Sequence, residues 1–444
     1  MHDINGDSSS IRRVAIASFI GTTIEWYDFF LYGIAAAAVF NVLFFPQLNP
    51  TAGTLAAFGT FAVGYFARPL GGVIFGHIGD RVGRKAALVT TLLIMGVATT
   101  LVGALPTYES IGVFAPLLLL LLRLLQGLSV GGEWGGAVLM AVEHAPSHRR
   151  GFYASSAHAG APAGLILSTG VFSLCALLPK EQFLSWGWRV PFLLSLVLLA
   201  VGMFIRLRLR ESPVFERLKN EQGKERIPVL TTLRHPANVI RVALLRCIDG
   251  TASSIYSFFA ATYAIQHLGF STATATSGNI VGGVVGLLIL PVAAALSDRV
   301  GRRRAYLAFV AFATLIVFPV TWLIGAGVPA LFWLAMALGL GIANYGQYGT
   351  VSAYFAELFP TGTRYTGASL GYQLGGAMFN GTAPLIAASL LAWAGALWPI
   401  AVLVMVSGLI SMVTALLSPE TVKADISAPP STSPSTPPSE TVQA

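Results

Sequence analysis

Apolar residues gather along this chain in long blocks, at about 14–44, 54–75, 86–105, 111–142, 152–178, 189–208, 239–268, 276–296, 305–325, 329–356, 366–391 and 396–417, with polar and charged residues collected between them. A helix needs about 20 apolar residues to cross a bilayer. The pattern therefore predicts an all-α membrane protein with twelve transmembrane helices. Strands of a membrane barrel would give short alternating segments instead.

Composition agrees: 55% of the residues are hydrophobic and 10% charged, where a soluble domain has about 25% charged. The net charge of +8 reports topology, because 22 of the 27 Lys and Arg fall in the termini or in alternate loops, and the opposite loops hold only Lys180 and Arg189. By the positive-inside rule both termini are cytoplasmic, as an even number of spans requires. The basic loops suit anionic lipid headgroups, not nucleic acid. The polar N-terminus leads into a retained first span without a cleavage site. Cys175 and Cys247 lie apart in apolar runs, with no disulfide framework or metal spacing.

The charged stretch at 206–236 divides the chain. The expected organisation is a cytoplasmic N-terminus (1–13), a six-helix bundle (14–208), a central loop (209–238), a second bundle (239–417) and a Pro/Ser/Thr-rich tail (418–444) with too little to bury for a fold. The halves are repeats. GHIGDRVGRKAAL (76–88) returns as ALSDRVGRRRAYL (295–307), and the acid of EHAPSHRRG (Glu143) returns in ELFPTGTRYTG (Glu357), at offsets of 218 and 214. Such symmetry marks secondary transporters, whose bundles rock about a central site. In the loops, Asp80 and Asp298 can accept from helix-end N–H groups, Gly83 and Gly301 allow a tight turn, and Arg81, Arg84, Arg299 and Arg302 can pair with carboxylates across the seam, which makes these candidate gating residues. A basic loop that only sets topology is the plainer reading, and two matched copies weigh against it.

These stretches resemble the cytoplasmic loop signature of the major facilitator superfamily, and Arg123 in RLLQG resembles its fourth-helix arginine. GTTIEWYDFFLYG (21–33), YFARPLGG (65–72), RLLQGLSVGGEWGGA (123–137) and ELFPTGTRYTG resemble the metabolite:proton symporter family within it, over about residues 10–417. The resemblance implies uptake of a small organic acid or zwitterion, such as a dicarboxylate, citrate, shikimate or a betaine, with a proton as the coupling ion, no cofactor, and a cytoplasmic-membrane location. Osmosensing betaine carriers of that family have a C-terminal coiled coil, and this tail has no heptads.

Seven ionisable residues fall deep in the spans: Arg68, Arg123 and Arg246 against Glu25, Asp28, Glu133 and Asp249. Each is costly against lipid and needs a partner or a wet cavity. One carboxylate is in surplus. A desolvated carboxylate short of a cation exchanges a proton near neutral pH, and one locked to arginine does not. Glu25, Asp28 and Glu133 are the proton-coupling candidates, and Arg123 and Arg246 suit a substrate carboxylate. At the 218 offset Asp28 falls on Arg246, which sets acid opposite base across a central cavity. Arg68 and Asp249 read as structural ion-pair residues, and ion pairs that only hold helices together are the alternative for all seven. Tyr27, Tyr32, Trp134, Asn344, Gln347 and Gln373 complete the candidate substrate site, with Trp26, Tyr345, Tyr348 and Asn380 nearby. Each taken alone reads better as interhelical glue, except the span-ten cluster of Asn344, Tyr345, Gln347 and Tyr348, whose four polar groups in five residues exceed what packing needs. His158 is a candidate relay or a satisfied interhelical histidine.

No phosphate-cradling GxxxxGK[S/T] loop is present for an ATP-driven pump, and no metal constellation or nucleophile–base pair suggests an enzyme. A proton-coupled exporter and a non-transporting receptor on the same fold remain as rivals. Each chain has both bundles, so a monomer suffices.

Overall fold

The computed structural model describes residues 4–82, 84–131, 138, 141–142, 145–208, 236–359 and 364–422. Helices occupy every predicted span: α1 (Ile4–Ala35, continued to Leu43), α2 (Pro50–Val82), α3 (Arg84–Ala104), α4 (Phe114–Val130), α5 (Arg150–Cys175) and α6 (Arg189–Arg208). The second set is α7 (237–267), α8 (Thr272–Val300), α9 (Arg302–Gly325), α10 (329–357), α11 (364–394) and α12 (Trp398–Leu416). Ten of these are long and apolar enough to cross a membrane. The two exceptions are α4, whose continuous described helix is Phe114–Val130, and α7, which is interrupted at Arg246, where ψ falls to −2°. Leucines line the outside, such as Leu315, Leu288 and Leu196, as expected of helices facing lipid.

Several helices loosen into π turns: Ala36–Phe40 in α1, Ile255–Phe259 in α7, Ala337–Asn344 in α10 and Gly376–Gly381 in α11. Such segments leave backbone groups unpaired and recur at functional sites. Those of α1 and α7 occupy matching places in the two halves.

Glycines set the closest helix contacts. A Cβ on Gly71 would sit 1.8 Å from the Leu128 carbonyl oxygen, and one on Gly127 would sit 2.0 Å from that of Gly64. This backbone-to-backbone approach of α2 and α4 is the packing that small residues permit between membrane helices.

The halves meet at both ends. At one end Gln266 Nε2 donates to Thr54 Oγ1 (3.1 Å), and Gly33 of α1 makes room for the Phe258 ring of α7. At the arginine-rich end Asp298 accepts from the Gly151 and Phe152 backbone N–H groups, both at 2.9 Å, capping the first turn of α5. A carboxylate there also meets the positive end of the helix dipole. Arg302 Nη1 donates to the same Asp298 (2.7 Å), and its Nε to Glu357 (3.2 Å). The segment after α12 ties into this knot: Glu420 accepts from the backbone N–H groups of Arg302 (2.7 Å) and Arg303 (3.2 Å), and the Thr421 hydroxyl donates to Glu357 (2.7 Å). Gly301, at φ 108°, opens α9 without a capping side chain of its own, and Glu420 supplies the cap.

In the second copy Asp298 accepts from helix-end N–H groups and Gly301 makes the turn, while Arg299 is exposed. Among the described residues Arg302 pairs with Asp298 and Glu357 of its own half and not with a carboxylate across the seam, because both acids lie beside it at the ends of α8 and α10. The side chains of Asp80, Arg81 and Arg84, with Gly83, lie outside the described residues. So do Glu133, Trp134, Glu143 and most of the central loop and tail.

Candidate transport site

Between the closed ends the seam is lined by rings and guanidinium groups. On α2, Tyr65 and Arg68 stand three residues apart and share one helix face. The Arg68 guanidinium carbon lies 4.1 Å from the centre of the Tyr65 ring and 4.7 Å from that of Phe29. Arg123 on α4 is held likewise over Tyr32 (4.2 Å) and Phe61 (5.0 Å), and its Nη1 donates to Gln126 (3.1 Å), which in turn donates to Thr99 (2.8 Å). Arg246, at the break in α7, has its guanidinium carbon 3.2 Å from the centre of the Tyr372 ring and makes long bonds to Asn380 (3.3 and 3.4 Å). Stacking on ring faces holds a cation in place without neutralising it.

Carboxylates are scarce around these groups. Among the described residues neither Arg68 nor Arg123 has a carboxylate oxygen within 4 Å, and Arg246 has only Asp249, at 3.8 Å. Arg123 Nε, Arg246 Nη1, the Tyr65 hydroxyl and Gln373 Oε1 are buried without a hydrogen-bond partner. Tyr65 lies within electrostatic reach of all three arginines. Orphaned polar atoms in one seam cost about 1–3 kcal/mol each. They are stabilised when a ligand supplies the missing oxygens.

The acids sit to one side. Asp28 accepts from Ser195 Oγ of α6 (2.6 Å) and lines a small cavity with Phe29, Arg68, Arg123 and Gln126. Glu25, one turn earlier, lies within electrostatic reach of Arg68 and Arg206. Asp28 therefore belongs to its own bundle and is not set against Arg246, because the phase of α1 turns it toward α6. The ion pair expected at Arg68 is absent among the described residues, since two ring faces occupy its sides.

Other expected positions divide. Gln373 reaches the Gly131 carbonyl across the seam (3.3 Å), and Tyr32 bonds Thr60 (2.8 Å) beside Arg123. Tyr348 is central: its ring stacks on His158 (4.0 Å), its carbonyl lies 3.1 Å from His158 Nδ1, and its hydroxyl meets that of Tyr372 (2.8 Å). Tyr27 instead turns inward and donates to the Pro191 carbonyl (2.8 Å), a packing contact of α1 and α6. Asn344 and Gln347 face a separate cavity inside the second bundle, with Asp249. Tyr65 and Tyr372 were not singled out; their signal is spacing, three residues before Arg68 and one before Gln373. Each of the two cavities has room for about one water molecule.

The family model described as Major Facilitator Superfamily matches residues 18–380. A shikimate transporter of Escherichia coli (strain K12) is 43% identical over 424 residues, covering 94% of this chain and 96% of that protein. A glycine betaine/proline/ectoine/pipecolic acid transporter of Dickeya dadantii (strain 3937) is 35% identical over 430 residues, covering 94% and 84%. Among solved structures, a proton:xylose symporter bound to 6-bromo-6-deoxy-D-glucose superposes with a TM-score of 0.74 over 94% of this chain and 97% of that one. At 16% identity that likeness speaks for the fold alone.

Proposed function

This chain belongs to the Major Facilitator Superfamily and is a secondary active transporter of a small metabolite, and we propose that it takes up a hydroxylated organic acid of the shikimate class together with protons. The observation that carries the reading is that, among the described residues, Arg68 and Arg123 have no carboxylate oxygen within 4 Å and Arg246 has only Asp249, at 3.8 Å. Arg68, Arg123 and Arg246 surround Tyr65, with unmet donors on Arg123, Arg246 and Tyr65. A carboxylate entering there accepts from a planar fork. Ring hydroxyls of the substrate find Gln373, whose oxygen is unpartnered, together with Tyr348 and Tyr372. A relative named for shikimate, 43% identical to this chain, supports the same class.

Asp28 fits the proton role. It is buried, hydrogen-bonded to a serine hydroxyl and not to a guanidinium, and it shares a cavity with Arg123. Proton binding at Asp28 and acid binding at Arg123 then act on one another through a few ångströms of cavity. Rocking of the halves carries both across, with the seam exposed to one side at a time. The arginine-rich face is read as cytoplasmic by the positive-inside rule, in a cytoplasmic membrane, with the single chain as the working unit.

The test is uptake in proteoliposomes with an internal pH dye, using shikimate, 2-oxoglutarate, citrate, benzoate and glycine betaine. Shikimate or a close analogue is expected to enter with protons and to accumulate only under an inward proton gradient. Proton entry with betaine alone would overturn the organic-acid assignment. Solute-driven proton exit would make the chain an exporter.

A further inference from the structure

The second bundle contains a copy of the proton site. Asp28 of α1, Arg123 and Gln126 of α4 line the cavity in the first half, and Asp249 of α7, Asn344 and Gln347 of α10 line the cavity in the second. Each of these three pairs is separated by the same 221 residues. One first-helix carboxylate and one fourth-helix glutamine thus recur at a common offset, each time around a space of water size. Of the three matched positions one changes, Arg123 to Asn344, and no arginine is among the described residues that line the second cavity.

Asp249 itself is 4% exposed, and the charged group facing it is Arg246 on its own helix, at 3.8 Å. That is a loose contact beside the 2.7 Å of Arg302 and Asp298. Arg246 is turned away, onto Tyr372 and Asn380. The titratable groups that face Asp249 from packed helices are Tyr65 of α2, Tyr306 of α9, and Tyr345 and Tyr348 of α10; Tyr256 of α7 lines the cavity. Tyr306 donates to the Leu245 carbonyl and Tyr348 bonds Tyr372.

The cavity walls are polar and unmet. Asn344 Oδ1 is buried without a hydrogen-bond partner, and the buried Gln347 amide has only the Tyr306 hydroxyl near it, outside good hydrogen-bond geometry. A buried water needs space for itself and two to four polar neighbours, and Asp249, Asn344 and Gln347 provide them. We propose that Asp249 is a second proton-exchanging group of this transporter, one in each bundle, reached through a water held by Asn344 and Gln347. The neutral amides of Asn344 and Gln347 can hydrogen-bond the carboxyl in either protonation state, and water gives the proton a way on and off. The inference rests on the proton-symport reading.

Infrared titration of the full chain in lipid nanodiscs, reading the C=O stretch of protonated carboxyls across the neutral pH range, tests it without a substrate. Asp249→Asn is expected to remove one titrating band, Asp249→Glu to restore one, and Asp28→Asn to remove a different one. A carboxyl region left unchanged by Asp249→Asn would mean a permanently ionised partner of Arg246 and would overturn the proposal. Should Asp249→Asn lose every band, and with them its fold, Gln347→Leu decides: the Asp249 band is expected to move its midpoint by about one pH unit, and an unmoved midpoint also overturns it. Absence of solute-driven proton uptake in the wild type counts against symport itself and leaves the band assignment to stand or fall alone.

Discussion

Asp298 joins the two halves at the arginine-rich end through atoms that an isosteric change disables. In Asp298→Asn one carboxylate oxygen becomes an NH₂ group. In the place of Oδ2 it points donor at donor against the Phe152 N–H (2.9 Å); in the place of Oδ1 it does so against both the Gly151 N–H (2.9 Å) and Arg302 Nη1 (2.7 Å), and either way the guanidinium is left short of charge. A hydrogen bond to a charged group contributes about 1.5–3 kcal/mol, and the helix-end attraction for the anion about 0.3–1 kcal/mol. Losing one such bond and the charge, with the other bond retained in neutral form, costs the closed end about 2 kcal/mol, or a roughly 30-fold shift toward separation of the halves there. Spin labels on His148→Cys and Arg299→Cys, both exposed positions, in a background lacking Cys175 and Cys247, report this directly by pulsed electron resonance. The expected result is a new long-distance population in Asp298→Asn. A distance distribution within about twofold of the parent's proportions, in a folded protein, would refute the argument that this cap holds the end shut.

Asp28→Asn is expected to abolish accumulation driven by a proton gradient while keeping solute exchange at equal pH, measured as counterflow in proteoliposomes. Arg123→Lys keeps the charge but loses the planar fork and the bond to Gln126, so apparent affinity for the acid should fall about 10-fold or more, read as the uptake half-saturation. Gly71→Ala drives a methyl into the Leu128 carbonyl, and a loss of about 1–3 kcal/mol should appear as a lower melting temperature in detergent. Gly301→Ala meets both a positive φ and the Glu420 carboxylate, 2.5 Å from the added carbon; it should favour the separated state in the same spin-label measurement.

The spans, the repeat and the Asp298 cap could be read in the sequence because they depend on length, charge placement and spacing, which the chain displays openly. Orientation about each helix axis could not. Tyr27 and Asp28 are neighbours of Trp26, yet they turn to α6, while Trp26 packs toward Tyr348 of the other half. The repeat offset also misled. At 218 residues, taken from the loop motif, Asp28 falls on Arg246; inside the bundles the matching offset is 221, one turn later, and Asp28 corresponds to Asp249. The break of α7 at Arg246 lies beside this shift. Tyr65 escaped notice because a tyrosine in an apolar helix is ordinary until three arginines are found around it.

The Glu420 clip bears on how the protein is handled in the laboratory. A deletion designed to stop at the end of the last apolar run, near Leu417, would look harmless on a hydropathy plot. It would nevertheless strip the cap from the first turn of α9 and take the Thr421 hydroxyl from Glu357. Reporters and purification tags are therefore best joined beyond Val422, and shortened chains that transport poorly should be checked for this missing peg before a span is blamed.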